Sequence, residues 1–390
     1  MKITIITHNF IYNDGQGKVN FELVRYLSSK GYQLLLIGNG FDESIKDMPN
    51  VKIYKIPILF KKPNILKQIN FTLFSDILLF FLKSDIIDVN GGITFHKHHI
   101  NHIHFCHSYW VKELTKIKLK NIKWLYHYFY HSINSFWEKI CFRYLGKKLV
   151  AVSEKVKYEV KNYCNIPDEK ITVVHNGVDV EKFTPERRKE AREMIIKKFS
   201  LKKDDFIIFF AGDMRTNRKG FGTVINAMEL LKDYEDIKLI AIGNIKDNIF
   251  IKDVIEKGLK NIFFAGFVKD NFNWYPGFDL YISPSYQCDH FSLTILEALS
   301  SGIPVITSPF YFVKPDEYLI KDGINGFNLK SPDDYKGLKD YILMIYKDRR
   351  LLRNLSINAR NTALKFTWDK MGEEFEKLFK AFSPYKNHLL

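Results

Sequence analysis

The stretch Leu280-Tyr281-Ile282-Ser283, a loop from Pro284 to Ser292, Leu293-Thr294-Ile295-Leu296-Glu297-Ala298-Leu299-Ser300, and then Gly302-Ile303-Pro304-Val305-Ile306-Thr307 decides the fold. Its outer pieces are short apolar runs that read as buried strands, and the inner piece reads as an apolar helix that stops before Gly302. Strand, helix and strand in that order make a parallel crossover unit. The same grammar runs upstream, with a strand from Phe206 to Ala211, a loop from Gly212 to Gly222, a helix from Thr223 to Leu231 and strands at 238–242 and 261–264. It also opens the chain. Ile3 to Thr7 reads as a strand and Asn13-Asp14-Gly15-Gln16-Gly17 as a turn. Val19, Leu23, Val24 and Leu27 recur at helical spacing before Gly31, and Leu34-Leu35-Leu36-Ile37 is a second strand.

Two starts of the pattern in 390 residues predict an α/β protein with two Rossmann-like, doubly wound parallel-sheet domains. The hinge is read between His175-Asn176-Gly177-Val178-Asp179 and Pro185, so the domains are expected at 1–190 and 191–367. A last helix, Trp368 to Phe382, follows the completed second sheet.

With 46% apolar and 26% charged residues, the composition excludes wholesale disorder and a polytopic membrane protein. The greasiest run, Phe71 to Leu82, is too short to cross a bilayer and carries Asp76. The net charge is +15, of which residues 1–190 hold +11 and the remainder +4. Such a surplus asks for an anionic partner, whether nucleic acid, an acidic membrane surface or a phosphorylated substrate. Cys106, Cys141, Cys164 and Cys288 have no metal-ligand or disulfide-framework spacing, so reduced thiols and no metal are expected. The N-terminal run is read as carrying no export signal, which points to the cytoplasm.

Gly15-Gln16-Gly17-Lys18-Val19-Asn20 nearly matches the dinucleotide fingerprint, but Asn20 stands where close packing wants Gly or Ala. The motif fits either a phosphate-binding turn or a βα turn with no ligand. Gly212-Asp213-Met214-Arg215-Thr216-Asn217-Arg218-Lys219-Gly220 puts three cations in one strand-to-helix loop, where phosphate would sit well. Glu297 interrupts an apolar helix, a costly place for a carboxylate without a partner. Six of the twelve histidines fall between His96 and His107, open to reading as a metal site or as a polar strand end.

Asp289-x-Phe291-Ser292-Leu293-x-x-x-Glu297-Ala298 with Gly302-x-Pro304-Val305-Ile306 resembles the E-x-F-G-L-x-x-x-E-A segment of retaining GT-B nucleotide-sugar glycosyltransferases of the family-four group. The resemblance continues through Gly15 and Gly17, Val152-Ser153, Asn176-Gly177-Val178-Asp179, Arg218-Lys219-Gly220 and Asp322-Gly323-x-Asn325-Gly326. It implies two domains facing across a cleft, the first for the acceptor and the second for the donor, with the last helix packed back on the first domain. Glu297 would then hold ribose hydroxyls, Asp289 hydroxyls of the transferred sugar, and backbone amides near His290, Phe291, Ser292, Leu293 and Thr294 would assist. Lys219, with Arg215 or Arg218 as second cation, would stabilise the leaving diphosphate without a metal or other cofactor. The region of Phe267 would meet the base, and His107 the donor sugar. Three departures from the family pattern stand out: Asp289 replaces Glu, Ser292 replaces Gly, adding a side chain where backbone should approach the sugar, and Asp213 stands where Arg usually follows the first Gly of the basic loop.

Lys61, Lys62 and Lys67 precede Phe71, Leu73, Phe74, Ile77 and Leu78, and Lys112, Lys116, Lys118, Lys120 and Lys123 precede Trp124, Tyr126, Tyr128, Phe129 and Tyr130. Basic segments beside aromatic amphipathic ones fit either an anionic membrane or a helix packed in the core. The combined expectation is a cytoplasmic transferase, peripheral on the inner face of the membrane, using a UDP- or GDP-sugar and a glycan or lipid-linked acceptor. A sugar-nucleotide epimerase or hydrolase on the same fold is the alternative; a nucleic-acid-binding protein is disfavoured because no motif of that class is found.

Overall fold

The computed structural model describes residues 1–115, 122–246, 248–286, 291–308 and 317–383. The chain divides into two compact units, Met1–Asn176 with the segment from Trp368 onward, and Gly177–Thr367. Each is built on a parallel sheet buried on both faces, as the unbroken apolar strands require.

In the first unit seven strands lie in the order Val51–Lys55, Gln33–Gly38, Lys2–Ile6, Ile86–Asn90, His98–Ile103, Gly146–Ala151, Ile171–Val173. Helix Gly15–Ser29 starts at Asp14, whose carboxylate accepts the Gly17 amide at 3.3 Å. Helix Glu154–Cys164 starts at Ser153, whose hydroxyl accepts the Val156 amide at 3.3 Å. Such caps satisfy donors that the first helical turn leaves open.

The second unit has six strands in the order Ile262–Gly266, Ile237–Ile242, Phe206–Ala211, Leu280–Ser283, Val305–Thr307, Gly326–Asn328. The strand order reverses between Phe206–Ala211 and Leu280–Ser283. Phe209 anchors one face, with Phe278 and Tyr281 each 4.5 Å away ring to ring. Buried Asp279 is clamped by Arg188 at 2.6 Å and Arg192 at 2.7 Å, fixing helix Arg188–Phe199 against the sheet. A buried carboxylate held by two guanidinium groups would be badly exposed energetically if either were removed.

Residues 177–190, assigned to the first domain from sequence, fold with the second unit instead. The Val178 amide donates to the Phe366 carbonyl at 2.9 Å, and Phe183 is buried among Trp274 and Tyr275. The turn residues at Asn176 and Gly177 end one unit, and the polar segment after them is already anchored in the other.

Helix Trp368–Phe382 lies in the first unit, against helix Gly15–Ser29. Glu376 accepts from the hydroxyls of Tyr26 at 2.9 Å and Tyr32 at 2.7 Å, and Arg25 reaches Asp369 at 3.1 Å. Burial alone would raise the pKa of Glu376, but bonds from Lys380, Tyr32 and Tyr26 bring it down to about 2. Gly372 is the contact point: a Cβ there would sit 2.2 Å from Tyr26 Cγ, and Tyr26 is itself buried. Gly372→Ala is therefore expected to destabilise this unit by about 1–3 kcal/mol through overpacking. A lower denaturant midpoint for its unfolding checks this, and an unchanged midpoint contradicts the packing.

Candidate functional site

Ligands of open parallel sheets gather beyond the carboxyl ends of the strands, where the strand order reverses. In the second unit that edge carries the loops after Ala211, Ile242, Gly266 and Ser283. Backbone contacts bind these loops to one another. Gly243, at φ +154°, brings its neighbourhood so close to Gly212 that a Cβ would lie 2.0 Å from the Gly212 carbonyl oxygen. Gly220, at φ +78°, would place a Cβ 1.9 Å from the Pro284 carbonyl oxygen. Only glycine meets both the positive φ and the approach at Gly220. The Tyr286 amide donates to the Arg218 carbonyl at 3.1 Å, and the Asn217 side chain accepts the Gly222 amide at 2.9 Å. The single 3₁₀ turn Asn217–Lys219 is thereby held beside the loop after Ser283, with Arg218 exposed and Lys219 half-buried.

Arg215 is differently placed. Its Nε and a terminal nitrogen donate to the two carboxylate oxygens of Asp213, both at 2.9 Å. This fork, chiefly its hydrogen bond, holds Asp213 below the usual carboxylate range. Arg215 and Asp213 form a neutral pair, so the cationic character of the loop rests on Arg218 and Lys219.

Helix Leu293–Ser300 begins at Ser292, whose hydroxyl caps the Ile295 amide at 3.4 Å and lies 3.1 Å from Thr294 Oγ1. Tyr281, within strand Leu280–Ser283, donates to Thr294 Oγ1 at 3.2 Å. Ser292, noted in the sequence only as a replacement for Gly, thus has a capping role. Glu297 is buried, and Asn271 Nδ2 donates to its Oε2 at 2.9 Å. Asn271 went unnoticed in the sequence because it comes from a short 3₁₀ turn outside every motif. Phe267 follows Gly266 at the end of its strand and is 75% exposed, whereas Phe291 packs on Phe366 at 5.3 Å. Asp289 and His290 lie outside the described residues.

In the first unit, Gly17 is needed sterically, since a Cβ would approach the Ile11 carbonyl oxygen at 2.8 Å, while Gly15 has open space beside it. Asn20 is explained as well. Its amide donates to Thr7 Oγ1 at 3.2 Å and to the Gln16 carbonyl at 3.1 Å, tying the helix to the end of the first strand.

His107 opens helix His107–Thr115, and its Nδ1 lies 2.8 Å from Nδ1 of His131. One ring must donate to the other, so the two neutral rings take opposite tautomers. Burial, then the partner ring, lowers His107 to about 3; burial, then His127, lowers His131 to about 4. No local motif marked His131, which the fold brings in from helix Ile122–Ile140. His102 and His104 do share a face, with rings 4.2 Å apart, and burial lowers both pKa values. His102 packs against Phe375 at 4.7 Å, and no ligand group of three or more forms around it among the described residues.

Residues 191–362 match the model of glycosyl transferases group 1, and residues 13–182 match that of glycosyltransferase family 4. The chain is 27% identical over 359 residues to the glycosyltransferase MJ1069 of Methanocaldococcus jannaschii, covering 85% of this chain and 84% of that protein. Among solved structures it is similar to WaaG, a glycosyltransferase involved in lipopolysaccharide biosynthesis, with a TM-score of 0.77, 15% identity and coverage of 97% and 99%. It is also similar to Anabaena HepE in complex with UDP and glucose, with a TM-score of 0.70, 15% identity and coverage of 98% and 100%.

The glycine lacing gives a test that needs no substrate. Gly220→Ala is expected to cost about 1–3 kcal/mol or more, because it combines strain at positive φ with a backbone clash. A fall in the melting temperature measures this; an unaltered one would mean the two loops do not meet as described.

Proposed function

Because the chain belongs to the group 1 glycosyltransferases of the GT-B fold, we propose that it is a retaining, metal-independent enzyme that moves a sugar from a nucleotide-sugar to a glycan or lipid-linked cell-envelope acceptor. One observation carries this reading: the laced loops at the switch point hold Arg218 and Lys219 beside the loop that leads to helix Leu293–Ser300. The UDP named for HepE supports a nucleotide-sugar donor, and the lipopolysaccharide role named for WaaG supports an envelope acceptor.

Breaking the anomeric C–O bond gathers negative charge on the departing diphosphate. Arg218, Lys219 and the amides of Leu293 and Thr294 stabilise that charge as it develops, which a metal would otherwise do. The acceptor oxygen bonds to the anomeric carbon on the face the diphosphate leaves, and its proton passes to a phosphate oxygen. Glu297, oriented by Asn271, accepts from the two ribose hydroxyls. Exposed Phe267 offers a surface for the base. Asp289 and His107 act on the transferred sugar, with His131 fixing which nitrogen His107 presents.

Arg218→Ala and Lys219→Ala are each expected to lower kcat by about 10²–10³-fold. Arg215→Ala should cost far less, since its charge is spent on Asp213. Steady-state kinetics on the donor that most raises the melting temperature, in a screen of UDP-, GDP-, dTDP- and ADP-sugars, makes the comparison. Wild-type turnover in Lys219→Ala defeats the mechanism, and release of free or epimerised sugar at the full rate without acceptor favours a hydrolase or epimerase.

We also propose that the first unit rests on an anionic membrane at the cytoplasmic side. No helix among the described residues is long and apolar enough to cross one. Two helices nevertheless expose apolar side chains: Leu73, Ile77, Phe80 and Phe81 on Asn64–Phe81, and Ile122, Leu125, Phe129, Ile133 and Phe136 on Ile122–Ile140. The second set falls at helical spacing on one stripe. Tyr126 links the two, accepting the Asn64 amide at 3.2 Å, and exposed Lys61 and Lys62 precede the first helix. Lys116, Lys118 and Lys120 lie outside the described residues, as does the side chain of Lys123. Sedimentation with vesicles should need anionic lipid, weaken with salt, and fall about tenfold or more when Lys61, Lys62 and Lys67 become Gln. Equal binding to zwitterionic vesicles would remove the electrostatic part of this reading.

A further inference from the structure

Three acidic groups converge in the first unit, none of them given a role in transfer, although Glu138 accepts the amide of His107. Cys106 follows strand His98–Ile103, Glu138 sits near the end of helix Ile122–Ile140, and Cys164 closes helix Glu154–Cys164. All three are at least 98% buried, and their ligand atoms lie within 4.8 Å of one another. Among the described residues this is the one such grouping of three or more His, Cys, Asp or Glu side chains. We propose that Cys106, Cys164 and Glu138 bind one thiophilic divalent cation, best matched by zinc, at a structural site.

The distances favour an ion over a covalent bridge. The two Sγ atoms are 3.9 Å apart. A disulfide requires about 2.05 Å, whereas two thiolates at about 2.3 Å from a tetrahedral zinc lie roughly 3.8 Å apart. The pair already stands at the separation the ion would impose. Glu138 is oriented as a ligating carboxylate should be: its oxygens accept the His107 amide at 3.0 Å and the Ser108 amide at 3.2 Å. Each oxygen keeps a lone pair for a metal. Those amides begin helix His107–Thr115, whose positive end offsets the excess negative charge of two thiolates and a carboxylate on a dication. Ser108 Oγ accepts from Cys164 Sγ at 3.3 Å and lies beside a fourth position.

Two thiols and a carboxyl group with no cation among them make a poor core. Zinc would replace the thiol protons, releasing two to solvent, and convert the cluster into a cross-link among three elements. Through Glu138 it would also fix the backbone of His107.

Full-length protein purified without chelator is expected to carry roughly one zinc per chain by elemental analysis. After chelator treatment, added Zn²⁺ should raise the melting temperature, and Co²⁺ should give a thiolate-to-cobalt charge-transfer band. Cys106→Ser and Cys164→Ser should abolish the band. Cys141→Ser, at a buried thiol that donates to the Thr94 carbonyl instead, should keep it. If the first two variants fail to fold, the cobalt band and zinc-dependent melting of the wild type decide. Folded wild-type protein with no metal, no band and no thermal shift overturns the site, and so does a Cys106–Cys164 disulfide in peptide maps of the native protein. Neither result bears on the roles proposed for Arg218, Lys219 and Glu297, which belong to the second unit.

Discussion

The second unit depends on how closely its loops approach one another at the reversal of strand order. Gly220 against the Pro284 carbonyl and Gly243 against the Gly212 carbonyl leave no room for a side chain. Parallel strands deliver several loop starts to one edge, but alone they leave those loops independent. The glycine contacts, with the amide of Tyr286 on the Arg218 carbonyl, turn them into one surface. Cations on that surface keep fixed positions, and a fixed cation stabilises developing charge better than one that must reorganise. The neutral pair of Arg215 and Asp213 then narrows the cationic loop to Arg218 and Lys219.

A different constraint shapes the first unit. Its inner strand His98–Ile103 carries buried His98 and His102, and neutral imidazoles need flat apolar or hydrogen-bonding neighbours. The C-terminal helix supplies part of that cover through Phe375, while Gly372, Glu376 and Asp369 lock it to helix Gly15–Ser29. A segment at the far end of the chain thus completes the core of the N-terminal sheet. Glu138 fixes the start of the helix that bears His107, so the placement of that histidine and the core packing share one buried carboxylate.

Much of this was legible from local pattern. Apolar β-branched runs and glycine-bounded helices gave both sheets, because strand burial and helix termination are written in consecutive residues. The basic loop and the segment from Ser292 to Glu297 were legible for the same reason. The unit boundary was misplaced because Val178 and Phe183 are held by Phe366, Trp274 and Tyr275, residues with no mark in the local sequence. Ser292 was read as a substitution rather than a cap, and Asn271 and His131 were missed, because each acquires its meaning from a partner on another element.

The sequence by itself determined the fold class, the family and the residue types carried by the basic loop and the segment from Ser292 to Glu297. These follow from spacing within short segments. Tertiary structure alone decided which arginine is neutralised, which histidine faces His107, and that Cys106, Glu138 and Cys164 meet. The physical reason is separation along the chain: these groups are brought into hydrogen-bonding or ligand distance only when sheets and helices close around a core, and no local periodicity encodes that closure.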